Sequence, residues 1–576
     1  MSPVDKPPSE SPGEVVALSK FRAALARARV TRRADAILAE PDADRLIPTL
    51  PIQDLYLAIK DVGLEDAQEL VVRASPEQVQ GFLDLDAWEG DELSVDRMRP
   101  WIDTLLSEGH DKIASIVDFL DPEEIAVFVQ KQANVYDITQ EDIPEEPEGR
   151  FWPTPDTFYI LDILAPGEDG KSLERFLDHL YRADLDLARR VVMSARYELP
   201  SDLQEWAYRF RQGRMADLGF PDSQEALAIY KPLDPASVKV PEVGQKLEPH
   251  AGSVQVPGTT LPAIIAEAID PKTLLGLGLA THDDAGLEAV YGSLVTLFNR
   301  ALAADHVEPA DPIAARRVLD DVLAYLGLGI EYLAIVPGAT AEDTAKRAGR
   351  ALTALPLEKI FRVGFTLTAS LGGLAETLYL RGRVRMGDPR ALLLDGRHRE
   401  IVTALRGAGL RGRRPRMARM LDTPPANGTR AFRSAADIRL AASSLQSAAR
   451  IPVFFFDDLG LTIEGVGEAV SSSPGLAFGT IARTLAARIL VGGIELGALG
   501  PLVLMPLRPP EVGALLARLQ HGALAPADQA TVGVALLARI TARGRTAPPE
   551  LEAWFSDWFA NLGKRVAEVD GLYVTA

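Results

Sequence analysis

The sequence predicts a mainly α-helical protein. We expect an N-terminal array of helical repeats with a superhelical arrangement, a short mixed connector with room for minor β structure, and a large C-terminal helical bundle. Two observations lead to this prediction. Helix-capping residues recur with a fixed period near the N-terminus, and Ala/Leu-rich stretches with helical spacing fill the C-terminal half. The length of 576 residues and a hydrophobic share of 47% are sufficient for several packed cores.

The repeat is visible when the region that begins near residue 50 is compared with the region 46 residues further on. The triplet Ser75-Pro76-Glu77 then matches Asp121-Pro122-Glu123, and Gly63 matches Gly109. Ser and Asp are N-cap residues, and proline is favoured at the first helical position. The glycines suit helix ends that need a positive φ. This period predicts stacked helical repeats, and two similar hairpins in an ordinary bundle are the alternative.

The same residues carry a family resemblance. Together with Leu50-Pro51 and Leu64-Glu65-Asp66, they resemble the cytosolic superhelical domain of MgtE-type magnesium transporters and, more distantly, FliG-type repeats. That resemblance implies a fold for the N-terminal region and supplies no catalytic residue. A second resemblance covers most of the chain. Residues 214–235, Glu358–Gly364 and Arg414–Arg416 resemble a bacterial family of unknown function, which implies no activity.

Proline-rich and acidic segments mark the boundaries of the predicted parts. Glu141–Pro153 is acidic and rich in proline, Lys231–Pro262 contains six prolines, and Asp422–Gly428 contains Pro-Pro and Asn-Gly turn signals. The predicted parts are a disordered tail at 1–14, a helical-repeat domain at 15–140, a mixed α connector with a Pro-rich segment at 151–262, a helical domain ending in an Arg-rich segment at 263–420, and a C-terminal helical domain at 429–576.

Composition and charge narrow the function classes. The chain has 61 basic and 81 acidic residues, which give a net charge of −20, and residues 1–150 alone carry −17. Such an acidic body repels polyanions, which argues against nucleic-acid binding over the whole surface. The absence of cysteine excludes disulfides, thiolate metal sites and a cysteine nucleophile. Met1–Gly13 lacks the pattern of a signal peptide, and we expect a cytoplasmic protein.

One apolar stretch tests this expectation. Ile489–Leu507 has nineteen residues with a single charge, Glu495, and is long enough to cross a bilayer. A carboxylate near the middle of a span is costly in lipid, and the stretch also contains several glycines and Pro501. It therefore predicts a buried helix pair bent at Gly500–Pro501, with no transmembrane insertion.

A degenerate phosphate-binding motif at Ala165–Ser172 is the first candidate for chemistry. It follows a strand-like run, Phe158–Leu164. Asp457 follows a second predicted strand, Val453–Phe456, and a carboxylate at a strand end could bind magnesium. The residues that would hold a nucleotide are Gly170, Lys171, Ser172 and Asp457. Against this, Ala165 replaces the first glycine, and two acidic residues occupy the loop where phosphates must bind. We favour a polar turn that leads into a helix, and therefore expect no cofactor.

A metal site is the second candidate, because imidazole and carboxylate groups both suit divalent ions. The residues that could form it are His282, Asp283 and His306. Their spacing lacks the histidine pair four residues apart that helical metal sites use. Acidic residues near His282 also suit the start of a helix, where they meet the positive end of the dipole. We favour that structural interpretation and expect no metal.

A basic segment is the third candidate, since residues 381–420 carry a net charge of +9. Guanidinium groups bind phosphates and carboxylates in pairs, so nucleic acid, an anionic headgroup or an acidic protein surface would suit it. The segment contains no aromatic residue for stacking on bases, which favours an acidic protein partner over nucleic acid. Docking of the segment on its own acidic chain is the alternative. The arginines predicted to contact a partner are Arg381, Arg383, Arg385, Arg411, Arg413, Arg414 and Arg416.

These features predict a non-enzymatic cytoplasmic scaffold or adaptor whose stacked helices bind protein partners. The prediction depends on the architecture and on the lack of a convergent catalytic constellation. Two alternatives from other classes stay open. The first is a nucleotide-binding enzyme that uses Ala165–Ser172, and the second is an anion or nucleic-acid binder that uses the segment Arg381–Arg419.

Overall fold

The computed structural model is mainly α-helical, as the sequence predicts. It describes residues 33–140, 143–241, 263–309, 311–381, 393–407, 414–418, 421, 428–472, 475–492, 496, 500–560, 562–566 and 571–574. The chain forms two compact units, Met1–Gly364 and Phe365–Ala576. The finer division into five parts stays a prediction.

The first unit begins with the repeated helices. Two short helices, α1 (Arg33–Leu38) and α2 (Ala43–Leu46), come first. The first repeat contains α3 (Ile52–Val62), α4 (Gln68–Arg73) and α5 (Pro76–Asp86). A ribbon of β1 (Trp88–Glu89) and β2 (Glu92–Leu93) leads into the second repeat, which contains α6 (Val95–Ser107), α7 (His110–Ile116) and α8 (Pro122–Gln130). Each repeat thus has a long helix, a short helix and a capped helix.

The predicted caps are confirmed. Ser75 Oγ accepts a hydrogen bond from the backbone N–H of Gln78 (3.2 Å), and Gln78 Oε1 accepts one from the backbone N–H of Ser75 (2.8 Å). Asp121 Oδ1 accepts from two backbone N–H groups in the first turn of α8. Gly63 and Gly109 have φ values of 95° and 81°, as the helix ends require. Residues matched at a spacing of 46 therefore lie at equivalent helix ends in the two repeats.

Aromatic rings fill the core where the two repeats meet. Tyr56 of α3, Phe82 of α5 and Trp101 of α6 have almost no exposed surface. The ring centroids of Phe82 and Trp101 lie 5.3 Å apart, and those of Tyr56 and Trp101 lie 6.3 Å apart. Because the three rings come from both repeats, their burial stabilises the repeats as one body.

A small antiparallel sheet follows the second repeat. Its strands are β3 (Ala133–Asp137), β4 (Arg150–Pro153) and β5 (Tyr159–Ile163), in the order β3-β5-β4. Three helices come next, α9 (Gly167–Ala183), α10 (Leu185–Tyr197) and α11 (Pro200–Asp217). Both α10 and α11 pack on α8, and α11 also packs on α5. Helix α11 therefore contacts one capped helix from each repeat.

The rest of the first unit is helical. It contains α12 (Ser223–Ala226), α13 (Ala263–Ala268), α14 (Leu274–Leu279), α15 (Asp284–Asp305), α16 (Pro312–Ala334), α17 (Ala341–Ala354) and the start of α18 (Leu357–Arg381). Glycines let α16 and α18 approach closely. A Cβ atom at Gly329 or Gly364 would overlap a carbonyl oxygen of the facing helix.

The second unit has its own aromatic core. Its elements are α19 (Gly396–Arg406), β6 (Met417–Ala418), β7 (Thr429–Arg430), α20 (Ala435–Val453), α21 (Ile463–Ser472), α22 (Phe478–Leu490), α23 (Pro509–Leu516), β8 (Leu519–Gln520), β9 (Ala523–Leu524), α24 (Pro526–Ala542), α25 (Leu551–Phe559) and α26 (Leu562–Val566). A π-helical turn, Phe454–Asp458, continues α20. Phe454 and Phe455 of this turn pack against Trp558 of α25, with ring centroids 6.1 and 5.4 Å from its ring.

The stretch Ile489–Leu507 differs from its prediction. Helix α22 ends at Leu490, and the described residues after Pro501 form extended chain whose alternate side chains are buried. The predicted helix pair bent at Gly500–Pro501 is therefore wrong. The prolines at 501 and 506 disfavour a helix, and alternating burial stabilises an extended segment. In the part of the chain that the structure describes, no helix combines the length and apolarity that crossing a membrane requires.

A buried arginine of α24 stabilises the irregular chain in this region. Arg539, only 3% exposed, donates from Nε to the carbonyl oxygen of Leu459 (2.6 Å). Its Nη1 and Nη2 atoms donate to the carbonyl oxygens of Leu496 (3.1 Å) and Gly500 (2.8 Å). These bonds satisfy backbone groups that have no partner in a helix or sheet.

Removal of the Ser75 cap should destabilise the first repeat. We expect Ser75→Ala to lower the free energy of unfolding by about 1 kcal/mol, because the first turn of α5 loses the acceptor for one backbone N–H. Urea denaturation followed by tryptophan fluorescence measures the change.

Ser115→Ala is the matched control for this substitution. The Ser115 hydroxyl is exposed and donates only to the Lys112 carbonyl within α7. We expect its removal to change the free energy of unfolding by less than about 0.5 kcal/mol. Equal losses in the two variants would show that the cap does not stabilise the repeat.

Candidate functional site

The phosphate-binding motif forms the start of a helix. Lys171 and Ser172 lie in the first two turns of α9, where Lys171 Nζ pairs with Glu168 (2.7 Å) and the buried Ser172 hydroxyl donates to Asp103. Gly170 is buried against the turn before the helix. The preceding strand β5 is the middle strand of an antiparallel sheet, whereas the motif requires a strand, a loop and a helix of a parallel sheet.

The fourth nucleotide candidate, Asp457, lies in the second unit on the π-helical turn Phe454–Asp458. The prediction that a strand precedes Asp457 is wrong. Three consecutive phenylalanines favour a strand by propensity, but their rings pack into the aromatic core from a helical backbone. The carboxylate therefore does not lie at the end of a strand, as a magnesium ligand of this motif would.

The three metal candidates lie at the two ends of α15. Asp283 caps the start of the helix, and its Oδ1 accepts from the backbone N–H of Gly286 (2.9 Å). His282 precedes it, and His306 ends the helix with a φ of 53°. A helix of 22 residues is about 33 Å long, so His306 cannot share an ion with the other two residues. Among the described residues, no three His, Asp or Glu side chains are placed to hold a metal ion.

Five of the seven arginines predicted to contact a partner have side chains outside the described part of the chain. Arg383, Arg385, Arg411 and Arg413 lie outside the described residues, as does the side chain of Arg381. Arg414 and Arg416 are half-buried in the second unit. Arg406, another arginine of this segment, pairs with Glu376 (2.7 Å) and lies over the ring of Tyr379. The partner-binding role of the seven arginines stays a prediction.

A buried charged cluster in the first unit escaped the sequence analysis. Arg214 of α11 donates from Nε and Nη2 to the carboxylate of Asp84 of α5, both at 2.8 Å, and from Nη1 to Asp121, the N-cap of α8. Glu124 Oε2 of α8 lies 3.7 Å from Nη2. All three carboxylate side chains are at most 3% exposed. One guanidinium therefore joins α11 to a carboxylate from each repeat.

Burial determines the protonation of this cluster. Burial and then the neighbouring aspartates raise the pKa of Glu124 to about 8, so its carboxyl group keeps a proton at neutral pH. Burial also raises the pKa of Asp84 despite its bonds to Arg214. Glu124 accepts hydrogen bonds from Trp88 Nε1 (3.0 Å) and Gln80 Nε2 (2.7 Å). Because the Glu124 carboxyl is neutral, the Arg214 guanidinium has less negative charge to balance.

Arg211, one turn before Arg214, completes the contact of α11 with the repeats. Its guanidinium lies 5.1 Å from the ring centroid of Trp88, and its Nε donates to the carbonyl oxygen of Asp84 (2.8 Å). The sequence signal for this cluster was an arginine pair on one helical face. Its partners could not be inferred, because Asp84 is 130 residues from Arg214 in the chain.

Helices α10 and α11 also expose large apolar side chains. On α11, Trp206 is 43% exposed and Phe210 is 54% exposed, while Leu199 just before the helix is 64% exposed. On α10, Met193 and Tyr197 are 47% and 49% exposed. Trp206 and Phe210 are one turn apart, so they lie on the same side of α11. Chemically, this surface can bind apolar and aromatic groups of another molecule.

The comparisons with known proteins give one match. A model described as a family of unknown function (DUF6178) matches residues 10–573, which is nearly the whole chain. No curated protein and no solved structure matches the chain. The predicted resemblance to a family of unknown function is thereby confirmed, and the resemblance to MgtE-type and FliG-type domains stays a prediction.

The protonated Glu124 should make the protein less stable as the pH rises. The unfolded carboxyl ionises near pH 4.5, whereas the folded one keeps its proton to about pH 8, so the folded state binds more protons between these values. We therefore expect the free energy of unfolding to fall by about 1.4 kcal/mol for each pH unit in the middle of this window. Denaturation at pH 5.5–8.5 measures the slope.

Glu124→Gln should flatten this slope, because the amide does not ionise. The matched control is Glu77→Gln, which removes an exposed carboxylate at the start of α5 and should keep the slope of the wild-type protein. A Glu124→Gln protein with an unchanged slope would show that Glu124 is ionised in the folded state. The comparison uses slopes, so a change in absolute stability in either variant does not affect it.

Proposed function

We propose a protein-binding role for this chain, which belongs to the family of unknown function DUF6178. On this proposal the protein is a non-enzymatic scaffold or adaptor, and its main contact surface is formed by the exposed side chains of α10 and α11. The observation that carries the proposal is the exposure of Trp206 and Phe210 on a helix that buried carboxylates fix against the repeats.

The apolar side of α11 is only partly covered by the repeats. Leu203, Ala207 and Met215 are buried, and they lie on the side that carries Arg214 and contacts the repeats. A surface helix normally has polar residues on its remaining sides. Trp206 and Phe210 follow the buried Leu203 and Ala207 by three residues each, so they form an exposed apolar stripe at the edge of this side, beyond the part that the repeats cover. A partner that covers this stripe would remove its apolar area from water.

The composition of the surface supports a protein partner. Trp, Tyr, Phe, Met and Arg are the residue types enriched in protein interfaces, and Trp, Tyr and Arg dominate their energetic centres. The Tyr197 hydroxyl donates to Asp137 (2.6 Å), which fixes the orientation of a ring that stays half exposed. The guanidinium of Arg196 lies 5.5 Å from the centroid of that ring. A preordered aromatic side chain loses less entropy on binding.

Further parts of the proposal concern the partner, the location and the repeats. We expect a partner with acidic as well as apolar groups, because Arg190 and Arg209 are exposed on the same two helices.

The absence of cysteine suits a location in the cytoplasm. The shared capping period supports a common fold with MgtE-type and FliG-type repeats. Because Lys171 is paired with Glu168, the local contacts favour this function over nucleotide chemistry.

Substitution of the two α11 aromatic residues tests the proposal. We expect the double variant Trp206→Ala, Phe210→Ala to recover its protein partners at least about tenfold less well than the wild-type chain, because truncation of central aromatic residues costs more than about 1.4 kcal/mol of binding. The measurement is affinity purification of tagged chain from its native host, followed by quantitative mass spectrometry. Circular dichroism checks the fold of both proteins.

Tyr332→Ala is the matched control, since Tyr332 is an aromatic residue of α16 with 45% exposure in the same unit. It should recover the same partners as the wild-type chain. Partners retained equally by the double variant would contradict the proposed surface. Binding of random DNA with a steep loss at higher salt, abolished by the double variant, would replace it with a nucleic-acid function.

A further inference from the structure

An open cleft lies in the first unit, and none of its lining residues belongs to α10 or α11. Its volume is about 650 Å³, within the range of small-ligand sites. Its walls come from the end of α3, from α6 and from the chain just before α16, and the last residue of α5 contributes to its lining. Two of its carboxylates, Glu308 and Asp311, are more exposed than the carboxylates that Arg214 binds.

Asp86 gives the cleft a rigid base. Its carboxylate accepts from the Tyr56 hydroxyl (3.0 Å), from Trp101 Nε1 (2.9 Å) and from Lys60 Nζ (3.0 and 3.1 Å). Burial and then the Asp86 charge raise the pKa of Tyr56 far above its ordinary value, so this hydroxyl stays a donor. These bonds fix the position of Lys60, whose ammonium group reaches the cleft.

Two cations of the cleft have unused donors. Lys60 Nζ carries three protons, and its bonds in the structure are the two to Asp86. Arg97 donates from Nε to Glu89 (3.0 Å) and from Nη1 to Glu308 (2.7 Å) and the Trp88 carbonyl (3.2 Å). Its Nη2 has no partner among the described residues. Both side chains are about one-third exposed, so these donors can reach a carboxylate in the cleft.

Two carboxylates that line the cleft, Glu308 and Asp311, also have unused acceptors. Glu308 Oε2 accepts from Arg97, and Asp311 Oδ1 accepts from two backbone N–H groups at the start of α16. In the described part of the chain, the second oxygen of each has no partner. Pro100 lies inside α6 and also lines the cleft, and because it has no N–H, the Asp96 carbonyl lacks its helical donor. The cleft thus also offers acceptors for an ammonium group.

We propose that this cleft binds a short zwitterionic peptide, with the peptide carboxylate at Lys60 and Arg97 and its ammonium group at Glu308 and Asp311. The lining carries two cations and three carboxylates, so a simple anion or a simple cation would meet like charges, whereas a zwitterion can place each of its charges against an opposite one. Leu64 and Pro100 supply apolar surface for small side chains. The volume exceeds what a free amino acid needs and suits a few residues.

Trialanine and its two blocked forms test this assignment on the full chain. Isothermal titration calorimetry at low salt should show trialanine binding. N-acetyl-trialanine lacks the ammonium group, and trialanine amide lacks the carboxylate. We expect each blocked form to bind at least about tenfold more weakly, because each leaves one pair of charged side chains without its partner.

Substitutions then assign each end of the peptide. Glu308→Gln should weaken trialanine binding, and in this variant N-acetylation should cost little further, because the ammonium partner is already lost. Arg97→Lys keeps the positive charge but loses Nη2, and amidation should cost less in it than in the wild-type chain. Asp42→Asn is the control, since Asp42 is an exposed carboxylate outside the cleft whose side chain makes no capping bond. It should bind all three peptides as the wild-type chain does.

Two results would overturn the proposal. Trialanine that does not bind at millimolar concentration would show that the cleft has no affinity for zwitterionic peptides. Amide and free peptide that bind equally well would show a site for cations alone. Neither result affects the protein-binding proposal, because the cleft and the aromatic surface of α10 and α11 use different residues. Loss of protein partners in the α11 double variant likewise leaves the cleft intact.

Discussion

The first unit depends on the contact between one guanidinium group and two capped helices. Arg214 places each of its three nitrogen atoms against a carboxylate, from Asp84 in the first repeat and from Asp121 and Glu124 in the second. Carboxylates buried this deeply would destabilise the fold without a cation, because the desolvation of a charge is costly. The proton held by Glu124 removes one of the charges that Arg214 would otherwise balance. The repeats and α11 therefore have to fold as one body.

The same contact decides which side of α11 meets solvent. Since Arg214 and Arg211 bind groups of α5, β1 and α8, the helix cannot rotate about its axis without separating buried ions. Trp206 and Phe210 then stay outside, even though their apolar character would favour burial. A charged core contact thus maintains an exposed aromatic surface. This link between stability and exposure is the physical basis of the proposed protein-binding role.

Features that depend on neighbouring residues were predicted well from the sequence, whereas contacts between residues far apart in the chain were not. The cap at Ser75 depends on residues three positions apart, so spacing alone was sufficient. Asp121 was predicted as a cap, but its bond to Arg214 joins residues 93 positions apart, and no local pattern encodes that pairing. At Phe454 the local signal itself was misleading. Its β propensity predicted a strand, whereas packing of its ring against distant aromatic residues stabilised a helical turn.

The two polar networks of the first unit also differ in how completely they are satisfied. Every nitrogen of the Arg214 guanidinium faces a buried carboxylate, and buried polar groups in a folded protein are usually paired in this way. Around Arg97 and Glu308, donors and acceptors of opposite charge stay open toward one cleft. Water can solvate such groups, so they cost little in the free chain. The buried carboxylate of Asp86 needs a cation, so its bonds to Lys60 stabilise the fold and also hold this ammonium group in place. Fixed charges of both signs around a cavity favour a ligand that carries both signs itself.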